Sequence, residues 1–238
     1  LQAVIQKRMT HGLDFNFGYV WSHFLSDIDS SGWGSRAGTQ NYQDAYNPSA
    51  NYGNANFDVR NAFKGSAVYQ LPFGRGRQFA NNSTLLDLLI GGWQTAGTLV
   101  LQSGQPFTVT MSDKTSSYTL TSNGQWYPNV VGNPNLSNRG AYHGTKQWFN
   151  EAAFAQPAPG TLGNSRRNSL NGPGLTNVNF SLGKVFSIWE NVKFQLRADA
   201  SNIFNHPSFN LPNGALSLNS AGTAITTGTS TITSTTIN

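Results

Sequence analysis

The sequence predicts an all-β protein: an incomplete antiparallel transmembrane β-barrel, an arc of about six long strands with short periplasmic turns and long extracellular loops. Three observations predict it. Apolar and polar residues alternate with period two over runs of about nine to eleven residues, the length a tilted strand needs to cross a bilayer. Among 238 residues only 37% are hydrophobic and 11% charged, yet 12% are aromatic, with 25 glycines and 27 asparagines. The charged fraction is less than half the roughly 25% usual for soluble domains, while the aromatic content is too high for a disordered chain. Finally, the connections between runs alternate between short and very long.

A weak first strand sets Leu1, Ala3 and Ile5 against Gln2, Val4 and Gln6, and a turn at Thr10–Gly12 follows. The second sets Leu13, Phe15, Phe17, Tyr19 and Trp21 against Asp14, Asn16, Gly18 and Val20. About 35 residues then intervene before Phe57. The third strand has Phe63, Gly65, Ala67, Tyr69 and Leu71 on its apolar side. The Phe73–Leu89 connection falls at the short-turn end, where Thr84 is expected to cap one helical turn that buries leucines against the barrel rim. The fourth strand alternates from Trp93 to Gln102, and about 65 residues separate Val109 from Leu175. The fifth sets Val178, Phe180 and Leu182 against Asn177, Asn179 and Ser181. After a turn at Ser187–Asn191, the sixth sets Val192, Phe194, Leu196, Ala198 and Ala200 against Lys193, Gln195, Arg197, Asp199 and Ser201.

A soluble β-sandwich also alternates. Two features favour a membrane barrel: aromatics near the ends of the apolar faces, as in an interfacial girdle, and charged or amide residues on the opposite faces, which suit a wet lumen. Six strands cannot close, and an open edge in lipid leaves backbone groups unpaired at several kcal/mol each. The sequence therefore reads as an arc of a larger barrel, or as one chain's contribution to an oligomeric one, and is not expected to fold alone.

Catalysis is not expected. The histidines His11, His23, His143 and His206 have no metal-ligand spacing, and no nucleophile elbow or phosphate loop is present. Asp27 and Asp29 flank Ile28 at the spacing of paired oxygen ligands, but such a loop pair is ordinarily just solvated. No metal or cofactor is expected. The net charge of +5 rests on few charges. The small clusters Arg75–Arg77 and Arg166–Arg167 do not form a nucleic-acid stripe.

The loops carry Trp33, Tyr42, Tyr46 and Tyr52 in the first and Trp126, Tyr127, Tyr142 and Trp148 in the second. Aromatics on polar loops stack on sugars and other flat ligand faces; equally, they pack long loops against each other. Arg60, Lys64, Lys193, Arg197 and Asp199 are assigned to the lumen, where they hold a plug or keep the pore wet. Arg197 and Asp199, two apart on one strand face, can also pair locally.

The motifs Leu71-Pro-Phe-Gly-Arg-Gly-Arg77, Gly91-Gly-Trp-Gln94 and Gln102-Ser-Gly-Gln-Pro-Phe-Thr-Val109 resemble Oar-like TonB-dependent outer-membrane receptors. So do Pro128-Asn-Val-Val-Gly-Asn-Pro134, Trp148-Phe-Asn-Glu-Ala-Ala-Phe154, Gly163-Asn-Ser-Arg-Arg-Asn168 and Asn202-Ile-Phe-Asn-His-Pro-Ser-Phe209. The resemblance implies that residues 1–238 are the C-terminal part of a barrel of roughly 22 strands. It places the plug, the earlier strands and the closing strand outside this sequence. It also implies the outer membrane of a Gram-negative bacterium as location. The partners implied are the lipid bilayer and lipopolysaccharide, the protein's own plug domain, the TonB complex and a small-molecule or glycan ligand. A passive outer-membrane porin, an adhesin-like barrel and a soluble secreted carbohydrate-binding β-sandwich are the alternatives. Asn179 departs from the family, which more often has Asp there.

Overall fold

The computed structural model describes residues 1–27, 43–44, 46–79, 84–111, 126–137, 147–189, 192–218, 225–226, 230, 232 and 235–236. Six long strands form one antiparallel sheet: β1 (Gln2–Thr10), β2 (Leu13–Trp21), β3 (Asn61–Gln70), β4 (Trp93–Gln102), β5 (Leu175–Trp189) and β6 (Val192–Ala200). Each lies beside its neighbour in the chain, an up-and-down meander. Among the described residues β1 and β6 have no partner on their outer sides, so the sheet is an open arc of a barrel.

Pairing keeps the sequence alternation in register across the sheet. Ile5, Phe17, Gly65, Leu99 and Val178 form one straight row over five strands. One residue along, Gln6, Asn16, Ser66, Thr98 and Asn179 form the next row on the opposite face. One face is therefore mainly apolar, with Lys7 and Lys184 as its charged exceptions, and the other mainly polar. Gly65 has a specific place in this packing: the Phe17 ring lies where its Cβ would be, and that ring stacks on Phe63 with centroids 5.8 Å apart. Tyr19, Trp21 and Phe63 end the apolar face on the long-loop side, while Tyr69, Trp93, Phe186 and Trp189 end it on the short-turn side.

The six expected strands are present, and β5 is the one that differs most. It runs to Trp189 through Gly183 and Lys184, which interrupt the apolar pattern. Lys184 pairs with Trp93 and Leu196, both on the apolar face, yet it is only 4% exposed. Its ammonium donates to the carbonyls of Leu89 (2.8 Å) and Gly91 (2.9 Å) and lies 5.0 Å from the ring centroids of both Trp93 and Phe186. Those carbonyls belong to the end of α1 (Thr84–Ile90), the helix expected in the β3–β4 connection. A cation at a helix C-terminus satisfies orphan carbonyls and opposes the negative end of the dipole. Two of the leucines differ from expectation. Leu88 and Leu89 are 57% and 67% exposed and are not buried against the rim.

Glycines let this helix sit against the sheet. Gly92 has φ +70°, and a Cβ there would overlap the carbonyl of Val185. Gly74 has φ +109°, with a Cβ position 2.8 Å from the Gly91 Cα and against the Asp87 carboxylate, which accepts the Arg75 backbone N–H at 2.8 Å. Gly92→Val is thus expected to lower the stability of the refolded barrel by about 2–4 kcal/mol, from strain at positive φ plus overpacking. The urea midpoint of the heat-modifiable band reads this directly. An unchanged midpoint would show that α1 contributes no stability to the barrel.

The apolar core lies outside the sheet. Phe107, Val109, Met111, Trp148, Phe149, Ala153, Phe154, Leu170, Leu216 and Ile232 are buried together, and none belongs to a long strand. Short pairings frame them: Pro106–Phe107 with Leu170–Asn171, Asn129–Val130 with Phe154–Ala155, and Thr110–Met111 parallel to Ala215–Leu218. The second long loop and the segment after β6 thus fold into one cap at the long-loop end.

Candidate functional site

The strand register puts Lys64, Lys193, Arg197 and Asp199 on the polar face, as the alternation predicts. Arg197 Nε donates to Asp199 Oδ1 at 2.8 Å and to Ser181 Oγ at 3.0 Å, so this pair is satisfied locally. Both side chains are more than half exposed, and such a pair contributes at most about 1 kcal/mol. Lys64 and Lys193 make no hydrogen bond or ion pair among the described residues. Lys64 borders a shallow groove with Val4, Asn16, Gly18, Ser66 and Val100. Arg60 stands apart from them. It precedes β3, and its Nη2 donates to Asp58 Oδ2 (3.2 Å) and Asn54 Oδ1 (3.4 Å) within the first loop. It thus stands at the rim, one residue before the strand.

Asn179 shows what the amide does in place of a carboxylate. Its Nδ2 donates to Thr98 Oγ1 at 3.1 Å, and its Oδ1 accepts the Asn202 backbone N–H at 2.9 Å. Asn202 in turn closes on His206, donating from Nδ2 to the carbonyl and accepting the N–H at Oδ1. Asn202 and Asn205 both hold positive φ, where asparagine is tolerated better than most residues. This turn folds the chain after β6 back over β5, with Ile203 N donating to Val178 O.

The cap joins both long loops through a buried polar hub. Arg167 is 1% exposed, and its guanidinium donates to the Asn51 carbonyl (3.1 Å), the Ser26 carbonyl and Ser26 Oγ (2.9 Å). Asn168, at positive φ, donates from Nδ2 to Asn54 O and Asn56 Oδ1, both at 2.7 Å, and exchanges two bonds with Thr108. Gln43 bridges the same loops, donating to Gly163 O and accepting from Tyr127 N. Glu151 is 1% exposed and accepts from Gln147 Nε2 and the Ser230 backbone N–H. A buried carboxylate held this way anchors the chain end to the cap.

The loop aromatics separate into two sets. Trp148 is buried, its Nε1 donating to Asn171 O at 2.8 Å, and Trp126 packs on the same core. Tyr127 is 2% exposed, its hydroxyl has no partner among the described residues, and burial pushes its pKa up despite the nearby Arg167 charge. These three hold the cap together. Tyr46 and Tyr52, at 85% and 55% exposed, face outward from the first loop. Trp33, Tyr42 and Tyr142 lie outside the described residues, as do His143 and Asp29.

A cleft of about 180 Å³ separates cap from sheet rim, lined by Gln102, Ser103, Gln105, Pro173, Ser208 and Leu211 among others. That is smaller than the roughly 300–1,000 Å³ of ordinary small-molecule pockets. Among the described residues no three His, Cys, Asp or Glu side chains gather as a metal site. Sequence reading missed Arg167, Asn168 and Glu151 as cap residues, although the motifs holding them stood out.

A family model described as "Outer membrane beta barrel domain" matches residues 1–236. Comparison with curated proteins and with solved structures finds no match.

Proposed function

This chain belongs to the outer-membrane β-barrel domain family, and from that premise we propose that it forms wall and outer cap of a TonB-dependent receptor importing a surface-captured solute. The apolar face meets lipid in the outer membrane of a Gram-negative bacterium, and the polar face lines the lumen. The cap is the observation that carries the reading. The described parts of the two long loops, tied by Arg167 and Asn168, form a cap outside the membrane that presents Tyr46 and Tyr52 to the medium. Loops carried by a rigid scaffold are where binding function concentrates. Lys64 and Lys193 supply donors for a plug domain contributed by the longer protein, whereas Arg197 and Asp199 already satisfy each other. The protein makes and breaks no bonds; it recognises and moves its solute.

Growth on a panel of siderophores, glycans, vitamins and peptides tests this, using a deletion strain complemented in the presence and absence of working TonB. Uptake that needs both the protein and TonB is the expected result. Uptake that persists without TonB identifies a passive porin instead, and recovery in the soluble fraction without detergent identifies a secreted sandwich. For a solute so found, Tyr46→Ala combined with Tyr52→Ala is expected to raise the half-saturating concentration by about 5- to 50-fold, from lost aromatic stacking. Unchanged uptake at equal surface abundance would remove these tyrosines from recognition.

A further inference from the structure

We propose that α1 is a membrane foot: a short helix held on the lipid-facing side of the barrel so that Leu88, Leu89 and Ile90 enter the phospholipid leaflet at the short-turn end. It rests on the outer-membrane barrel assignment and not on the TonB reading. Three observations meet here. The helix end is pinned from the apolar face, because Lys184 Nζ and Trp93 Nε1 both project from that face and both donate to Leu89 O, at 2.8 and 3.2 Å. The approach is built into the backbone: Gly74, Gly91 and Gly92 stand where side chains would collide with Asp87 or Val185. The exposed leucines lie at the same short-turn end of the apolar face as Trp189, Val192 and Phe194, which are 72%, 44% and 54% exposed.

Lipid is the occupant that this placement selects. An apolar patch in water at the end of a spanning face has no solvated role, while at the headgroup boundary it is buried as in any interfacial amphipathic element. Lys184 fits the same picture. A lysine within a lipid-facing strand is ordinarily costly, but here its ammonium has two carbonyls and two ring faces and needs no water. The two arginines of the preceding turn, Arg75 and Arg77, are exposed at the same end of the sheet, where anionic headgroups lie.

The chain has no cysteine, so single probes are clean. Gln78, exposed in the polar turn ahead of the helix, supplies the aqueous reference position. Full-length protein carrying Leu88→Cys or Gln78→Cys is labelled with an environment-sensitive fluorophore and reconstituted in phosphatidylethanolamine–phosphatidylglycerol vesicles. The label at 88 is expected to be quenched at least about twofold more by nitroxide-bearing lipid than by an aqueous quencher, with the reverse order at 78. Equal aqueous quenching at both positions would overturn the proposal. So would shielding of position 88 from both quenchers, which would mean that protein covers the helix. Adding Lys184→Met to the Leu88→Cys protein is expected to bring lipid quenching down toward the level at 78. Unchanged quenching would remove Lys184 from the pinning. If that double variant does not assemble, the two single probes still decide whether the helix meets lipid.

Discussion

Arg167→Ala is expected to open the extracellular cap while leaving the barrel in place. The substitution removes the donors that Arg167 gives to the Ser26 and Asn51 carbonyls in a site where the arginine is 1% exposed, and it leaves a void beside them. A buried carbonyl left without a donor costs about 1–3 kcal/mol, and hydrogen bonds to a charged group contribute about 1.5–3 kcal/mol each. The neighbouring Arg166 is exposed, so Arg166→Ala is the matched control at about 0.5 kcal/mol or less. Arg167→Lys should fall between them, because one ammonium cannot reproduce a planar fork reaching three acceptors. Protease added to whole cells reads cap opening, while heat-modifiability in detergent reads the barrel. Equal loop cleavage in the Arg167→Ala and Arg166→Ala proteins would show that the hub does not hold the cap.

Such a network could not have been read from the sequence. Arg166 and Arg167 are adjacent and chemically identical, yet one faces water and the other is fully enclosed. No local pattern distinguishes them, because the partners lie 116 and 141 residues away. The loop aromatics were ambiguous for the same reason. Trp148 and Tyr127 could be taken equally as ligand platforms or packing residues until the short pairings around Phe107 and Phe154 placed both inside. A weak signal existed in the alternation Phe107, Val109, Met111, which all turn inward.

The sheet, by contrast, was legible nearly to the residue. A strand between lipid and water must alternate at every position, and one-residue slips invert both faces at once. β2 therefore runs from Leu13 to Trp21 as its pattern states. The pattern failed where a residue had a second task. Lys184 sits on the apolar face because it caps α1, and its charge hides the continuation of β5 beyond Leu182. The Arg197–Asp199 pair was foreseeable, since two-residue spacing on a strand fixes a common face and a reachable distance.

Nearby positions on β4 offer the strongest test of which face meets lipid. Leu99 lies mid-sheet on the apolar face between Gly65 and Val178, and Ala96 lies on the polar face between Val68 and Ser181. Leu99→Arg is expected to cost about 2–4 kcal/mol, the penalty for a guanidinium facing the bilayer midplane, and to reduce assembled protein sharply. Ala96→Arg is expected to be tolerated within about 1 kcal/mol, because lumen positions are solvated. Its row also holds Asp14 and the Arg197-paired Asp199. Urea titration of the two refolded full-length proteins in one lipid gives the difference directly. A cost that is equal at the two positions, or larger at Ala96, would mean that the faces have been assigned to the wrong sides.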